Sequence, residues 1–270
     1  MSEQKNLVKD VFNRCASTYG EEGCPFFNYF GERLVELSHL TSGKTVLDVA
    51  TGKGAILFPA SKKVGPTGKV IGIDISPNMI EETRKKVDPQ NLSRVELYQM
   101  DAEKLKFPDN TFDHIFCGFA LFFFPSLKAA LEEFKRVLKS GGRLSATTWG
   151  EKSELSRWVN DEAKKMGALQ KLQSTPLHDP HSLHQALKTE FDDVAIIEES
   201  KIFYHKTPEA WWESLWAHGT RANLEQLSPE NLFDLKQRAL IKAKKMTTSK
   251  GLAEKLTVFY GLVKHVASCR

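Results

Sequence analysis

Hydrophobic and polar residues follow a repeating order along the first 150 residues, in which short apolar runs alternate with amphipathic stretches. Short continuous apolar runs are typical of strands buried on both faces, and apolar residues at helical spacing are typical of amphipathic helices. Helices are predicted over residues 51–64, 77–87 and 127–139, the last ending at Ser140-Gly-Gly. The predicted strands are Thr45–Val49, Lys69–Ile73, Val95–Gln99, His114–Gly118 and Gly142–Thr148. This alternation predicts a doubly wound α/β fold with a mostly parallel sheet.

The sequence on either side of this region adds further helices and two strands. Residues 5–19 and 26–40 predict two helices before the first strand. After residue 150, a sixth strand is predicted at Phe191–Glu199 and a closing strand at Leu256–Val263. Residues 208–247 between them predict two or three helices. The complete sheet is therefore expected to have seven strands.

Length and charge restrict the class of protein only broadly. A chain of 270 residues with 41% hydrophobic residues can bury one sizeable α/β core plus a subdomain. The net charge of +4 is mild, and the lysines are spread along the predicted helices. A solvated surface is therefore favoured over a nucleic-acid interface.

Location is predicted from the apolar runs and the cysteines. No apolar run reaches the roughly 18 residues that span a bilayer, and the opening residues 1–6 lack the apolar core of a signal peptide. Cys15, Cys24, Cys117 and Cys269 form no Cys-x-x-Cys pair. Neither a disulfide framework nor a structural metal site is predicted, and we expect a cytoplasmic protein that does not insert into membranes.

The segment Val46–Gly54 carries the first candidate chemistry. A strand containing Asp48 is followed by a turn that contains Gly52 and Gly54, and the next strand ends in a second carboxylate, Asp74, 20 residues after Gly54. Parallel sheets place their ligands at the carboxyl ends of strands, where glycine lets the backbone approach the ligand. Two carboxylates there suit a neutral or cationic nucleoside better than a phosphate, and neither phosphate-binding glycine motif is present. The alternative is that these residues form only a tight turn and a helix cap.

Three stretches together make the pattern specific. They are Val46–Gly54, Val70–Ile80 and residues 97–144, the last running from Leu-Tyr-Gln-Met-Asp-Ala to Arg-Val-Leu-Lys-Ser-Gly-Gly-Arg-Leu. In combination they resemble the class I S-adenosylmethionine-dependent methyltransferases, especially the UbiE-type branch named for ubiquinone and menaquinone C-methylation. The resemblance covers about residues 10–150. One departure is Ala50, which stands where many members have the first glycine of the loop.

The resemblance implies a cofactor site for S-adenosylmethionine. Asp74 is expected to accept hydrogen bonds from the ribose hydroxyls, Asp101 to bind the adenine amino group, and Tyr19 to lie over the methionine part. Asp48 is expected to line the methionine and ribose part, and its charge suits the ammonium or sulfonium group. The full set implied by the resemblance is Tyr19, Asp48, Ala50, Gly52, Asp74, Ile75, Met79, Asp101, Ala102, Cys117 and Gly118.

Family topology also implies an arrangement of domains. Residues 1–40 are expected to cover the active site, residues 41–150 to form the cofactor-binding core, and residues 151–270 to carry the rest of the sheet with an antiparallel last strand. Within the last part, residues of about 208–247 are expected to form a helical, substrate-selecting lid. The aromatic residues predicted to bind the acceptor are Phe26, Phe27, Phe123, Trp149, Trp212 and Trp216. The alternative is that these rings only pack the lid against the sheet.

A catalytic base is less clearly indicated. His205 precedes the tryptophan-rich helix and is the candidate, because histidine titrates near neutral pH; a surface role is the alternative. His178, His181 and His184 lie at intervals of three, but no cluster of carboxylates accompanies them, so no metal is predicted.

The sequence thus predicts a cytoplasmic methyltransferase that acts on a small, apolar or aromatic metabolite. One alternative is a non-methylating relative that binds S-adenosylmethionine as a structural cofactor and catalyses a rearrangement or senses the ligand. A second is a protein or RNA methyltransferase, disfavoured because Cys117-Gly-Phe-Ala stands after the fourth strand in place of a motif of the Asn/Asp-Pro-Pro-Tyr/Phe type.

Overall fold

The computed structural model describes residues 2–20, 26–88, 94–151, 153–169, 172 and 175–266, so Cys24 and Cys269 lie outside the described residues. The strands are β1 (Thr45–Val49), β2 (Lys69–Asp74), β3 (Val95–Gln99), β4 (Phe112–Gly118), β5 (Leu138–Trp149), β6 (Asp193–His205), β7 (Thr247–Thr248) and β8 (Gly251–Lys264). The helices are α1 (Glu3–Cys15), α2 (Phe26–Leu37), α3 (Leu57–Val64), α4 (Pro77–Arg84), α5 (Leu127–Val137), α6 (Glu154–Lys165), α7 (Pro180–Lys188), α8 (Pro208–Ser214), α9 (Arg221–Leu224) and α10 (Pro229–Met246).

These strands form one sheet in the order β3-β2-β1-β4-β5-β8-β6, with the short β7 paired to β8. Strands β1 to β5 are mutually parallel, and β8 is antiparallel to both β5 and β6. The mostly parallel sheet and the antiparallel last strand are confirmed. Because parallel strands end at the same edge, the carboxyl ends of β1, β2 and β4 meet there.

Helices cover both faces of the sheet, as a doubly wound fold requires. On one face α5 and α7 pack over Leu47 and Val49 of β1; on the other, α2 and α3 pack over Val46. The alternation of side chains along a strand sends neighbouring residues of β1 into these two different cores. A third apolar cluster joins α6, α8 and α10, and a fourth holds α1 against Met79 of α4.

Several predicted boundaries were wrong for a local backbone reason. The first crossover helix begins at Leu57 and not at residue 51, because Ala50, Gly52 and Gly54 have φ values of 54°, 53° and 85°. This left-handed geometry cannot belong to a right-handed helix. The helix α5 ends at Val137, so Ser140-Gly-Gly lies inside β5 and does not terminate the helix.

The last part of the sheet is longer than predicted. The strands β6 and β8 pair continuously from Asp193 with Lys264 to His205 with Leu252. Strand β6 therefore ends six residues beyond the predicted Glu199 and includes His205, the predicted base. The two-residue β7 has too little sequence to show a period and was not predicted.

Candidate active site

A cavity of about 80 Å³ lies at the carboxyl ends of β1, β2 and β4. Most of the predicted cofactor residues share its wall, although they come from widely separated parts of the chain. The parallel sheet and the α1 helix bring them together. The predicted residues that line this cavity are Tyr19, Ala50, Gly52, Asp74, Ile75, Met79, Asp101, Ala102 and Gly118.

Asp74 anchors the loop that follows β1. Its Oδ2 accepts a hydrogen bond from the Gly52 amide at 3.0 Å, and its Oδ1 accepts one from the Ser76 amide at 2.9 Å. Burial raises the pKa of Asp74 to about 6, although both amides favour the charged form. A Cβ atom at Gly52 would lie 3.3 Å from Cε1 of Tyr19, so the ring of Tyr19 lies directly over this loop. The loop therefore passes between the carboxylate and the aromatic ring.

Asp48 and Cys117 do not reach the cavity wall, contrary to the sequence prediction. Asp48 is 1% exposed, and its Oδ2 accepts a hydrogen bond from Thr51 Oγ1 at 2.6 Å. Burial raises the pKa of Asp48 to about 7, although the nearby Leu57 amide favours the charged form. Its other oxygen, Oδ1, has no hydrogen-bond partner among the described residues. Burial also raises the pKa of the Cys117 thiol. Both residues point into the packed interior, because the central strands are covered on both faces.

The helix α1 forms the opposite wall of this cavity, and the sequence analysis missed its key residue, Lys5. The Lys5 ammonium lies 2.7 Å from Asp101 and 2.7 Å from Glu103. Burial opposes its charge, but these hydrogen bonds outweigh burial and raise the pKa of Lys5. Val8 and Phe12 line the same cavity. The spacing of 5, 8 and 12 is that of one helical face, and this signal could have identified α1 as a wall of the site.

A second cavity, of about 580 Å³, adjoins the first. The two cavities share a junction of four aromatic residues: Phe12, Tyr19, Phe119 and Phe123. The predicted acceptor residues Phe26, Phe27, Phe123 and Trp149 all line the larger cavity. Phe119, which the sequence analysis did not select, stacks on Trp149 with ring centroids 3.9 Å apart. Tyr19 in turn stacks on Phe27 at 4.7 Å, so the aromatic side is continuous from the junction.

Trp212 and Trp216 do not belong to this cavity, so their predicted role in acceptor binding is corrected. Trp212 is 1% exposed and packs with Trp211 in the cluster of α6, α8 and α10, and Trp216 is partly buried against the same cluster. Trp212 lies in α8, but this helix ends at Ser214 and Trp216 lies in the short 3₁₀ helix Leu215–Ala217, so the prediction of one helical face that carries both was wrong. Both residues pack against neighbouring helices because large aromatic residues are stabilised by burial in a core.

The polar side of the larger cavity is organised around Glu254, which the sequence analysis also missed. Its Oε1 accepts hydrogen bonds from Ser153 and Ser156 hydroxyls, both at 3.0 Å, and its Oε2 lies 2.9 Å from His205 Nε2. Burial alone would raise the pKa of Glu254, but these hydrogen bonds outweigh it and hold the pKa below its usual range. His205 is buried and is not among the lining residues, so Glu254 separates the predicted base from the cavity.

Within the described parts of the chain, no group of three or more histidine, cysteine or acidic residues could hold a metal ion. Across those same residues, no helix combines the length and the apolar character needed to cross a bilayer.

Residues 40–205 match a family described as a methyltransferase domain, and this match covers more than half of the chain. The chain therefore belongs to the methyltransferase domain family. Aklanonic acid methyltransferase DauC from Streptomyces sp. (strain C5) is 42% identical over 147 residues, which are 54% of this chain and 67% of that protein. Nocamycin O-methyltransferase from Saccharothrix syringae is 29% identical over 239 residues, 82% of this chain and 85% of that protein.

The predicted resemblance to UbiE-like methyltransferases is also confirmed. Demethylmenaquinone methyltransferase from Listeria monocytogenes serotype 4a (strain HCC23) is 40% identical over 111 residues, 41% of this chain and 47% of that enzyme. The match thus spans less than half of that enzyme. Among solved structures, the YcgJ protein of Bacillus subtilis has a TM-score of 0.60 at 18% identity and covers 89% of this chain and 100% of its own. The [4+2]-cyclase SpnF has a TM-score of 0.57 at 19% identity, and the match covers 97% of this chain and 93% of that chain. These two likenesses show the fold alone.

Proposed function

We propose that this methyltransferase takes S-adenosylmethionine as methyl donor and methylates a small metabolite with an apolar or aromatic body. The observation that carries the proposal is the pair of adjoining cavities with a shared aromatic junction. A donor site on one side and an acceptor site on the other is the arrangement that an in-line transfer needs. The family relatives named above act on small molecules by their names, which supports the same assignment.

The residues of the smaller cavity fit S-adenosylmethionine chemically. Asp74 and Asp101 are the carboxylates that would hold the ribose hydroxyls and the adenine amino group, with Ile75 and Met79 beside the base. Behind the cavity, Asp48 Oδ1 is a buried oxygen without a hydrogen-bond partner in the described chain. Asp48 does not line the cavity, so the fit rests on Asp74 and Asp101, whose carboxylates do. The cofactor, when bound, supplies a methyl group on a sulfonium.

The chain itself contributes alignment and exclusion of water. Phe119 and Trp149 present a stacked apolar wall on which a flat acceptor can lie, and Tyr19 and Phe27 continue it to the junction. Positioning a nucleophile can lower a barrier by about 7 kcal/mol or more, so no strong base is required for an already acidic acceptor. A cytoplasmic location remains a prediction of the sequence.

Replacing the ribose-binding carboxylate tests the proposal. Asp74→Ala should weaken binding of both S-adenosylmethionine and S-adenosylhomocysteine about tenfold to a hundredfold, because hydrogen bonds to a charged group contribute about 1.5 to 3 kcal/mol. Calorimetry measures both affinities, and circular dichroism checks the fold. Asp234→Ala, which removes a carboxylate from the surface of α10, is the matched control and should bind normally.

Turnover distinguishes methylation from the alternatives. The wild-type protein, supplied with S-adenosylmethionine and a panel of phenols, quinols and aromatic amines, should release S-adenosylhomocysteine. Cofactor binding without release from any acceptor would support the non-methylating alternative. Release only when RNA or protein is added would replace the small-molecule acceptor. Failure to bind the cofactor at all would contradict the proposed function.

A further inference from the structure

The wall of the larger cavity opposite the aromatic rings is polar and comes largely from one face of α6. Its residues follow helical spacing: Ser153, Ser156, Arg157, Asn160 and Lys164. The neighbouring strand β8 adds Glu254. The cavity therefore has two chemically different sides, and an apolar acceptor that fills it meets both.

The charges on this wall differ in exposure. Arg157 pairs with Glu151, and their side chains are 49% and 76% exposed, so this ion pair lies at the solvent side. Lys164 is also more than half exposed. The Glu254 side chain is only 10% exposed. Among the described lining residues, Glu254 is thus the charged side chain that is buried at the cavity.

The hydrogen bonds of Glu254 leave it able to accept one more. A carboxylate offers about four lone-pair sites. Ser153, Ser156 and His205 occupy three of these sites. These three partners also fix the orientation of the carboxylate, so a ligand that binds it loses little entropy in ordering the side chain.

The distance along β8 indicates the size of an acceptor that reaches Glu254. Trp149 pairs with Val258, four residues from Glu254, which at the usual rise of a strand is about 13 Å. An acceptor that contacts both Trp149 and Glu254 has to bridge most of this distance. It is therefore larger than a single ring.

We propose that Glu254 selects methyl acceptors by accepting a hydrogen bond from a neutral hydroxyl group at the end of a flat molecule of two or more rings. A carboxylate at that end of the acceptor would be repelled by Glu254, and a hydrogen atom there would leave its fourth site unfilled. His205 is a positioning residue that acts through Glu254. This inference rests on the proposed function only in treating the larger cavity as the acceptor site.

Three matched biphenyls test the proposal by calorimetry on the full chain saturated with S-adenosylhomocysteine, which prevents turnover. The wild type should bind 4-hydroxybiphenyl about tenfold more tightly than biphenyl, and biphenyl-4-carboxylic acid most weakly. Glu254→Gln should reduce the hydroxyl preference to less than about threefold and relieve the rejection of the acid. Glu151→Gln removes the exposed carboxylate of the same cavity and should keep the wild-type preferences.

Several results would overturn the proposal. Equal affinities of wild type for biphenyl and 4-hydroxybiphenyl would do so, as would a hydroxyl preference that Glu254→Gln leaves intact. If the acid bound most tightly, the polar wall would instead select a carboxylate through Arg157 and Lys164. Failure of all three biphenyls to bind the complex would reject both the aromatic side and the hydroxyl assignment. If Glu254→Gln does not fold, the wild-type affinities still decide, and His205→Gln, which retains the carboxylate, should preserve the order of the three compounds.

The outcome is separable from that of the proposed function. Loss of S-adenosylhomocysteine binding by the wild type would reject the cofactor assignment before any biphenyl is added. Normal cofactor and biphenyl binding without turnover would reject methylation and leave the role of Glu254 intact.

Discussion

Replacing Asp48 by asparagine should change how the stability of the protein depends on pH. The carboxylate is fully buried, its Oδ1 has no hydrogen-bond partner in the described chain, and its pKa is raised from 3.8 to about 7. The folded protein therefore holds this proton more tightly than the unfolded chain does. Because the folded state binds more protons between these two pKa values, the free energy of unfolding must fall as pH rises through that range.

The expected magnitude follows from the same two pKa values. Each tenfold difference in proton affinity corresponds to about 1.4 kcal/mol, so ionising Asp48 in the folded state costs about 4 kcal/mol in total. More than half of this loss falls between about pH 5 and pH 8, because part of it has already occurred below pH 5. An asparagine side chain cannot ionise, so the variant D48N should lack this decline. Any cost of its unsatisfied amide, about 1 to 3 kcal/mol, is the same at every pH.

Urea unfolding followed by tryptophan fluorescence at about pH 5, 6, 7 and 8 measures the difference between the two proteins. His114, whose pKa burial lowers to about 3, and Asp74 titrate in both proteins, so their contributions largely cancel in this difference. Asp234→Asn, on the exposed surface of α10, is the control and should follow the wild type. A difference between wild type and D48N that stays constant from about pH 5 to pH 8 would refute the reasoning, because it would mean that Asp48 is solvated in the folded state.

Two further predictions concern the helices around the site. Lys5→Met should lower the free energy of unfolding of the ligand-free protein by about 3 kcal/mol, because it leaves Asp101 and Glu103 without their shared cation. Urea unfolding measures this change. Unchanged stability would mean that α1 does not hold these ion pairs in solution. Hydrogen exchange should find α8 and α10 as protected in the ligand-free protein as β1 and β2, because Trp211 and Trp212 bury them in a core. Protection that appears only after cofactor and acceptor are added would instead support the predicted lid over residues 208–247.

The sequence alone determined the sheet and most of the lining of the smaller cavity. Strands buried on both faces carry continuous apolar runs, so β1 to β5 were visible as segments, and the carboxyl ends of parallel strands must share one edge. Asp74 was therefore placed at the smaller cavity by a rule that needs no knowledge of side-chain packing, and Asp101 by the family resemblance. The same rules failed for Asp48, because a period of two cannot tell whether a side chain at a covered sheet lines a cavity or is packed in the interior.

Only the tertiary structure decided which residues meet across long stretches of chain. Lys5 contacts Asp101, 96 positions further along the chain, and His205 contacts Glu254, 49 positions further along, through the packing of α1 and the register of β6 with β8. The spacing of four residues predicted one helical face for Trp212 and Trp216, but α8 ends at Ser214, and both side chains pack in the cluster of α6, α8 and α10. Local periodicity records which face of an element is apolar, whereas the partner of that face depends on contacts between distant segments. The larger cavity is built from such contacts, and for this reason Glu254 was found only in the folded protein.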